Sequence, residues 1–148
     1  MNRLLRHPAV NAVGLSVYSL FFGILFLGFP GRLQSQTGLD KTPVFALWDS
    51  FLRVGGERYI AYALLCLTVC VLLLLFLRHK PYDEYHTAIL VKCLAIALVL
   101  TLAAIAVFFV IVLCDPAGVI GKFTFFVSLN WATVVVADLI YLLLCGRG

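Results

Sequence analysis

The sequence predicts an all-α integral membrane protein: a four-helix bundle with a short amphipathic interfacial helix between its first and second spans. Of the 148 residues, 64% are hydrophobic and only 12% are charged, and the mean hydropathy is +1.09. Soluble domains carry about 25% charged residues, so a water-soluble fold of this length would leave apolar side chains uncovered. Four apolar segments are each long enough to cross the roughly 30 Å hydrocarbon core as a helix.

The four predicted spans cover residues 9–30, 59–77, 88–113 and 123–145, and the interfacial helix covers residues 43–54. We expect residues 1–148 to form a single transmembrane domain, with no separate soluble domain for catalysis or nucleic-acid binding. Arg3 and Arg6 precede the first apolar run, which is longer than the core of about 7–15 residues typical of a signal peptide. We therefore expect this run to be an uncleaved first span.

The first span carries small side chains at three- and four-residue spacing, which places them on one face of a helix. In lipid, helices associate by close packing, and small residues let two backbones approach each other. We expect another helix to dock on this helix-packing face, which comprises Ala12, Ser16, Ser19 and Gly23.

The connection after the first span contains the short amphipathic segment. Its apolar residues are predicted to share one face, with Asp49, Ser50 and Arg53 turned away; that face comprises Val44, Trp48, Phe51 and Leu52. Two interpretations remain open: the helix lies in the headgroup plane, or it caps one end of the bundle. Aromatic side chains at span ends predict interface anchors, namely Trp48, Tyr59, Tyr62, Tyr82 and Tyr85.

The short polar connection between the second and third spans predicts that these two helices are antiparallel neighbours. Its Asp83, Glu84 and His86 follow no recurring metal-binding pattern, and the five cysteines contain no C-x-x-C pair. We expect no metal and no cofactor. The net charge of +4 is scattered along the chain, which favours lipid headgroups over nucleic acid as its counterpart.

Asp138 lies within the fourth span, where an aspartate costs about 2.5–3.5 kcal/mol unless it faces the bundle or a wet cavity. Lys92 is the basic residue of the third span. Counted from the same membrane face, both residues lie roughly 9–11 Å deep at about 1.5 Å per residue. The sequence therefore predicts an intramembrane polar pair of Lys92 and Asp138.

Three interpretations of this pair are open: a static clamp on helix register, a proton or cation relay, or a snorkelling Lys92 beside a protonated Asp138. Other polar side chains of the fourth span form a possible polar track, comprising Asn130, Thr133 and Tyr141.

Two functions fit these residues. The first is a non-enzymatic subunit, assembly factor or regulator that acts through helix-helix association, with the bilayer and either a second copy or a partner membrane protein as its partners. The second is an oligomeric transporter or channel for ions or small solutes, with Asp138 as the relay. We expect no enzyme, because so few polar residues are available to build an active site. We expect a plasma or inner membrane location. The lysines and arginines divide evenly between the two sides, but Arg3 and Arg6 beside the first span favour cytoplasmic termini.

Overall fold

The computed structural model describes residues 8–28, 43–77 and 84–145, and 95% of these residues are helical, with no strand among them. They form five helices: α1 (Pro8–Gly28), α2 (Pro43–Arg53), α3 (Gly56–Leu77), α4 (Glu84–Cys114) and α5 (Val119–Cys145). The prediction of an all-α chain with four long apolar helices and a short fifth one is confirmed.

Helices α1, α3, α4 and α5 are long and apolar enough to cross a membrane. Each begins earlier than its predicted span: α1 by one residue, and the other three by three or four residues, because the helical backbone continues through the charged residues at their ends. Helix α3 begins at Gly56 rather than residue 59, α4 at Glu84 rather than residue 88, and α5 at Val119 rather than residue 123. A polar residue ends an apolar segment, but it does not end a helix.

Helix α5 is the centre of the bundle and packs against each of the other four helices. Its buried side chains recur at three- and four-residue spacing, as expected for one face of a helix, and include Thr124, Trp131, Val135, Asp138 and Leu142. Helix α1 packs mainly on α3, and α3 also packs on α5. The core is therefore built mainly by α1, α3 and α5, with Leu90 of α4 added to it.

Helix α4 lies at the edge of the bundle and packs along α5, rather than along α3 as predicted. Only 6% of the residues in its apolar stretch are buried, against 44% in α5. Residues 78–83 separate α3 from α4, and six extended residues can reach about 20 Å, roughly twice the distance between packed helix axes. The connection is therefore long enough to leave the two helices apart.

Two glycines make the sharp corner between α2 and α3. Gly55 has a φ of 83°, a left-handed conformation that favours glycine, and its N–H donates to the carbonyl of Leu52 at 2.9 Å. The ring of Phe51 occupies the space where a Cβ on Gly56 would lie. The chain can therefore turn α2 directly across the end of α3.

The apolar face predicted for α2 is only partly buried. Phe45, Asp49 and Leu52 are buried, whereas Val44 and Phe51, which are predicted to share a face with Leu52, are exposed. Hydrophobicity alone therefore does not indicate which side of α2 packs on the bundle. Helix α2 packs on α3 and α5, as expected of a cap on the bundle end.

Candidate functional site

Asp138 of α5 is a buried carboxylate, with 2% of its surface exposed. Its Oδ1 accepts a hydrogen bond of 3.0 Å from Nδ2 of Asn11 on α1. The structure does not bring Lys92 and Asp138 together: Lys92 is exposed, and no hydrogen bond or ion pair between the two is present in the described residues. The carboxylate is thus held by an amide rather than by a cation.

The rotation of α4 explains the difference. Leu90 and Leu94 of α4 face the same cleft as Asp138. Lys92 lies two residues from each, which is about 200° around a helix with 3.6 residues per turn. The sequence predicted comparable depths for Lys92 and Asp138, but α4 directs the lysine to the opposite side.

A cavity of about 270 Å³ lies between α1 and α4 on the surface of α5. We call it the Asp138 cleft, and the lining residues used below are Asn11, Gly14, Tyr18, Leu90, Leu94 and Asp138. Its walls are largely apolar, and its polar groups are the carboxylate, the amide beside it and the Tyr18 side chain. The Asp138 cleft thus surrounds one carboxylate with mostly apolar side chains.

A second buried polar contact joins three helices. Nε1 of Trp131 donates to Oγ of Ser19 at 3.1 Å, and Ser19 Oγ lies 3.1 Å from Oγ1 of Thr68. Because the single hydroxyl proton of Thr68 is donated to the carbonyl of Leu64 at 2.7 Å, the Ser19 hydroxyl is the donor to Thr68. We call Ser19, Thr68 and Trp131 the three-helix junction; all three are at most 3% exposed.

The two polar contacts fix how α1 lies against α5. Asn11 meets Asp138 and Ser19 meets Trp131, so the contacts advance along α1 as they retreat along α5. Their separations, eight and seven residues, correspond to about 12 Å and 10.5 Å along the two helix axes. Helices α1 and α5 are therefore antiparallel, and each contact requires the register that the other sets.

The predicted helix-packing face of α1 is largely used within the chain. Ala12 and Ser19 are buried, and a Cβ on Gly23 would lie 3.3 Å from the side chain of Leu65 on α3. Ser16 is half-buried, and its hydroxyl donates to the carbonyl of Ala12 at 2.7 Å. This face packs against helices of the same chain.

The residues of the possible polar track do not line the Asp138 cleft. Asn130 is half-buried, Thr133 donates its hydroxyl to the carbonyl of Leu129 at 2.8 Å, and Tyr141 is fully buried. Spacings of three and eight residues keep the three positions within about 80° of one another around α5. They therefore share one side of α5 without lining the Asp138 cleft.

The predicted interface anchors fall into two groups. Tyr59, Tyr62 and Tyr85 are exposed, and Tyr82 lies outside the described residues. Trp48 is half-buried: its Nε1 donates to Oγ1 of Thr124 at 3.2 Å, and its ring meets Phe125 edge to face at 5.2 Å. Trp48 therefore attaches α2 to the start of α5.

The turn between α4 and α5 contains a buried lysine that sequence reasoning missed. Lys122 is 1% exposed, and its Nζ donates to the carbonyls of Asp115 and Ala117 at 2.8 and 2.6 Å and to Oδ2 of Asp115 at 3.1 Å. These bonds match the three N–H donors of an ammonium group. Lys122 therefore closes the turn. Its position beside a glycine in the sequence gives no indication of this role.

Other acidic groups do not assemble into a metal site. Glu57 in the first turn of α3 is 3% exposed, and within the described residues its Oε2 is buried without a hydrogen-bond partner. In that part of the chain, no group of three or more His, Cys, Asp or Glu side chains is placed to hold a metal ion.

Sequence reasoning found Asp138 but missed Asn11, Thr68 and Trp131 as bonded partners. The sequence does indicate that Asn11 and Thr68 form hydrogen bonds, because both are polar residues inside apolar segments, where polar side chains bond across helices. Only the rotation of each helix decides which of them meet.

No protein-family model, no curated protein and no solved structure matches the chain.

Proposed function

We propose that the chain is an integral membrane protein of a plasma or inner membrane, with α1, α3, α4 and α5 as its spans. The length and apolar character of these four helices support the proposal. An even number of spans returns the chain to the side on which it began, so both termini lie on one side. Arg3 and Arg6 beside the first span favour the cytoplasm for that side.

The function proposed for it is association with another membrane protein, as a subunit, assembly factor or regulator. The observation that carries this proposal is the side of α4 turned away from α5. Residues there recur at three- and four-residue spacing, and all are exposed; this outer face of α4 comprises Ala88, Lys92, Ala95, Val99, Ala103 and Ala106. Small residues in such a row let a second helix approach closely in lipid.

Lys92 indicates the chemistry of the partner. It lies eight residues into α4, and a lysine facing lipid carries a cost of about 2.5–3.5 kcal/mol at the centre of a span. A carboxylate on the partner helix at the depth of Lys92 would compensate the charge. A parallel pair of α4 helices from two copies would instead bring two Lys92 ammonium groups together, which is unfavourable. We therefore propose a different protein as the partner.

The test introduces a bulky side chain on the outer face. In mild detergent, the wild-type protein is expected to migrate as a complex larger than its own 16.4 kDa chain. Ala95→Phe should release the partner by separating the two backbones, and Lys92→Ala should weaken the complex. Ala63→Phe is the matched control, because Ala63 is an exposed alanine on α3.

Three results would contradict the association proposal: a wild-type chain that is monomeric in every mild detergent, a complex that survives Ala95→Phe, or equal effects of the substitutions at Ala95 and Ala63. Differently tagged copies that co-purify would show self-association instead of a partner protein.

A second candidate function is transport, and the Asp138 cleft is the observation that favours it. Carboxylates within spans often mark ion or proton routes. In liposomes, a transporter should show a proton- or ion-dependent flux that Asp138→Asn abolishes while the fold is kept. A wild-type protein without flux would leave association as the function.

A further inference from the structure

The Asp138 cleft combines features of a small-ligand site. It joins a half-open volume of about 270 Å³ to a carboxylate with 2% of its surface exposed. Ligand sites of this kind are mostly apolar, with a few polar groups that fix the orientation of the ligand. The cleft has the same composition: leucine and valine side chains form its walls, and Asp138, Asn11 and Tyr18 supply the polar groups.

The carboxylate retains hydrogen-bonding capacity toward the cleft. An ionised carboxylate offers about four lone-pair positions, and the amide of Asn11 uses one on Oδ1. In the described part of the chain, Asp138 forms no ion pair with a lysine, arginine or histidine, since Lys92 lies on the far side of α4. A cation with N–H groups therefore complements what this cleft presents.

We propose that the Asp138 cleft binds a primary alkylammonium group. The ammonium donates hydrogen bonds to Asp138, and its alkyl chain runs along α1 past Gly14 toward Tyr18. Asn11 and Tyr18 are seven residues apart, so the cleft follows about 10.5 Å of α1. This inference rests on the proposed membrane insertion, because the alkyl chain of the ligand would enter the cleft from lipid. It does not depend on association through α4.

The chemistry selects among lipid-soluble ligands. A quaternary ammonium has the charge but no N–H to donate, and an alcohol has one donor but no charge. A carboxylate or phosphate would be repelled by Asp138. Inside a membrane, moving an alkyl chain from lipid to the cleft changes little hydrophobic free energy, so the charged hydrogen bonds must supply the selectivity.

The test measures the binding of radiolabelled octylamine by the full-length protein in phosphatidylcholine nanodiscs, with empty nanodiscs subtracted. Octyltrimethylammonium and octanol are the matched ligands. Hydrogen bonds to charged groups contribute enough for at least about a tenfold preference for octylamine over both analogues. Incorporation into nanodiscs is scored separately, so a failure of membrane insertion is distinguished from a failure of binding.

Two variants locate the site. Gly14 lines the cleft, and no atom lies within 4 Å of the position of an added Cβ, so Gly14→Leu places a larger side chain in the cleft without a clash at Cβ. Gly14→Leu should abolish saturable binding, and Gly14→Ala should retain most of it. Asp138→Asn should lower octylamine affinity at least about tenfold, because the amide has no charge.

The proposal is overturned if octanol binds as tightly as octylamine, or if Gly14→Leu or Asp138→Asn binds octylamine like the wild type. A further arm adds phosphatidylethanolamine to the nanodiscs. Displacement of octylamine there would identify a lipid headgroup amine as the source of the ammonium, and unchanged binding would identify a free alkylamine. Both results agree with the proposed site.

Discussion

At the scale of single residues, a few hydrogen bonds determine which apolar faces meet. The three-helix junction connects α1, α3 and α5 through one continuous series of donors from Trp131 to the carbonyl of Leu64. Each proton in the series is used, so no buried donor is left without an acceptor. Such contacts add modest stability in membranes, but they discriminate strongly between rotations of an otherwise uniform apolar helix.

Thr68→Val should destabilise the bundle, and Thr133→Val should not. Both changes replace a hydroxyl with a methyl group, but Thr68 bonds to Ser19 on another helix, whereas Thr133 bonds only to its own helix. We expect a loss of about 1 kcal/mol for Thr68→Val, in the range measured for interhelical hydrogen bonds in membranes. Reversible unfolding in mixed micelles measures both values, and equal losses would contradict the role of the junction.

Lys122→Met should lower the free energy of unfolding by about 2 kcal/mol. The substitution leaves the carbonyls of Asp115 and Ala117 without their donor, and a charged hydrogen-bonding group contributes about 1.5–3 kcal/mol. We take a value within that range because the Asp115 side chain is 40% exposed and remains hydrated.

Lys92→Met is the matched control for this measurement, since Lys92 is an exposed lysine on α4. Separated from any partner, the Lys92→Met chain should unfold at the same denaturant concentration as the wild-type chain. A larger loss for Lys92→Met than for Lys122→Met would show that the buried turn does not hold α4 to α5.

At the scale of helices, hydropathy predicts where each element lies along the chain but not how it is rotated. The four long helices are predictable from the sequence because their apolar runs are long. Helices α4 and α5 are apolar on nearly all sides, so their sequences contain no amphipathic period to indicate the inward face. Hydropathy therefore predicts comparable depths for Lys92 and Asp138 but not the directions of their side chains, and it does not decide which side of α2 packs on the bundle.

The α2–α3 corner gives a prediction at this scale. Gly55→Ala should cost about 1 kcal/mol, because the φ of 83° is disfavoured for a residue with a Cβ. No atom lies within 4 Å of an added Cβ at Gly55, so the cost is conformational rather than steric.

Gly14→Ala is the corresponding substitution within a helix, and it should stabilise the protein by about 0.5–1 kcal/mol. Unfolding of both variants in the same micelles checks the pair of values. A neutral Gly55→Ala would contradict the left-handed corner at which α2 turns across the bundle.

At the scale of the whole molecule, three helices form a core and the fourth leaves most of its surface available. Helix α5 packs against all four other helices, whereas α4 packs extensively against α5 only. This arrangement leaves the outer face of α4 exposed and the Asp138 cleft open between α1 and α4. The proposed association and the proposed ligand site therefore concern opposite sides of α4.

The most direct test of the account determines on which side of the membrane single cysteines lie. Each cysteine is introduced into a cysteine-free background and labelled by a membrane-impermeant maleimide in intact cells. Four spans place α2 opposite both termini, so Ser50→Cys, on the exposed side of α2, should react from outside. Asn2→Cys and Arg147→Cys should react only after the membrane is permeabilised. Labelling of Ser50→Cys on the same side as the termini, or of the two termini on opposite sides, would contradict the four-span bundle.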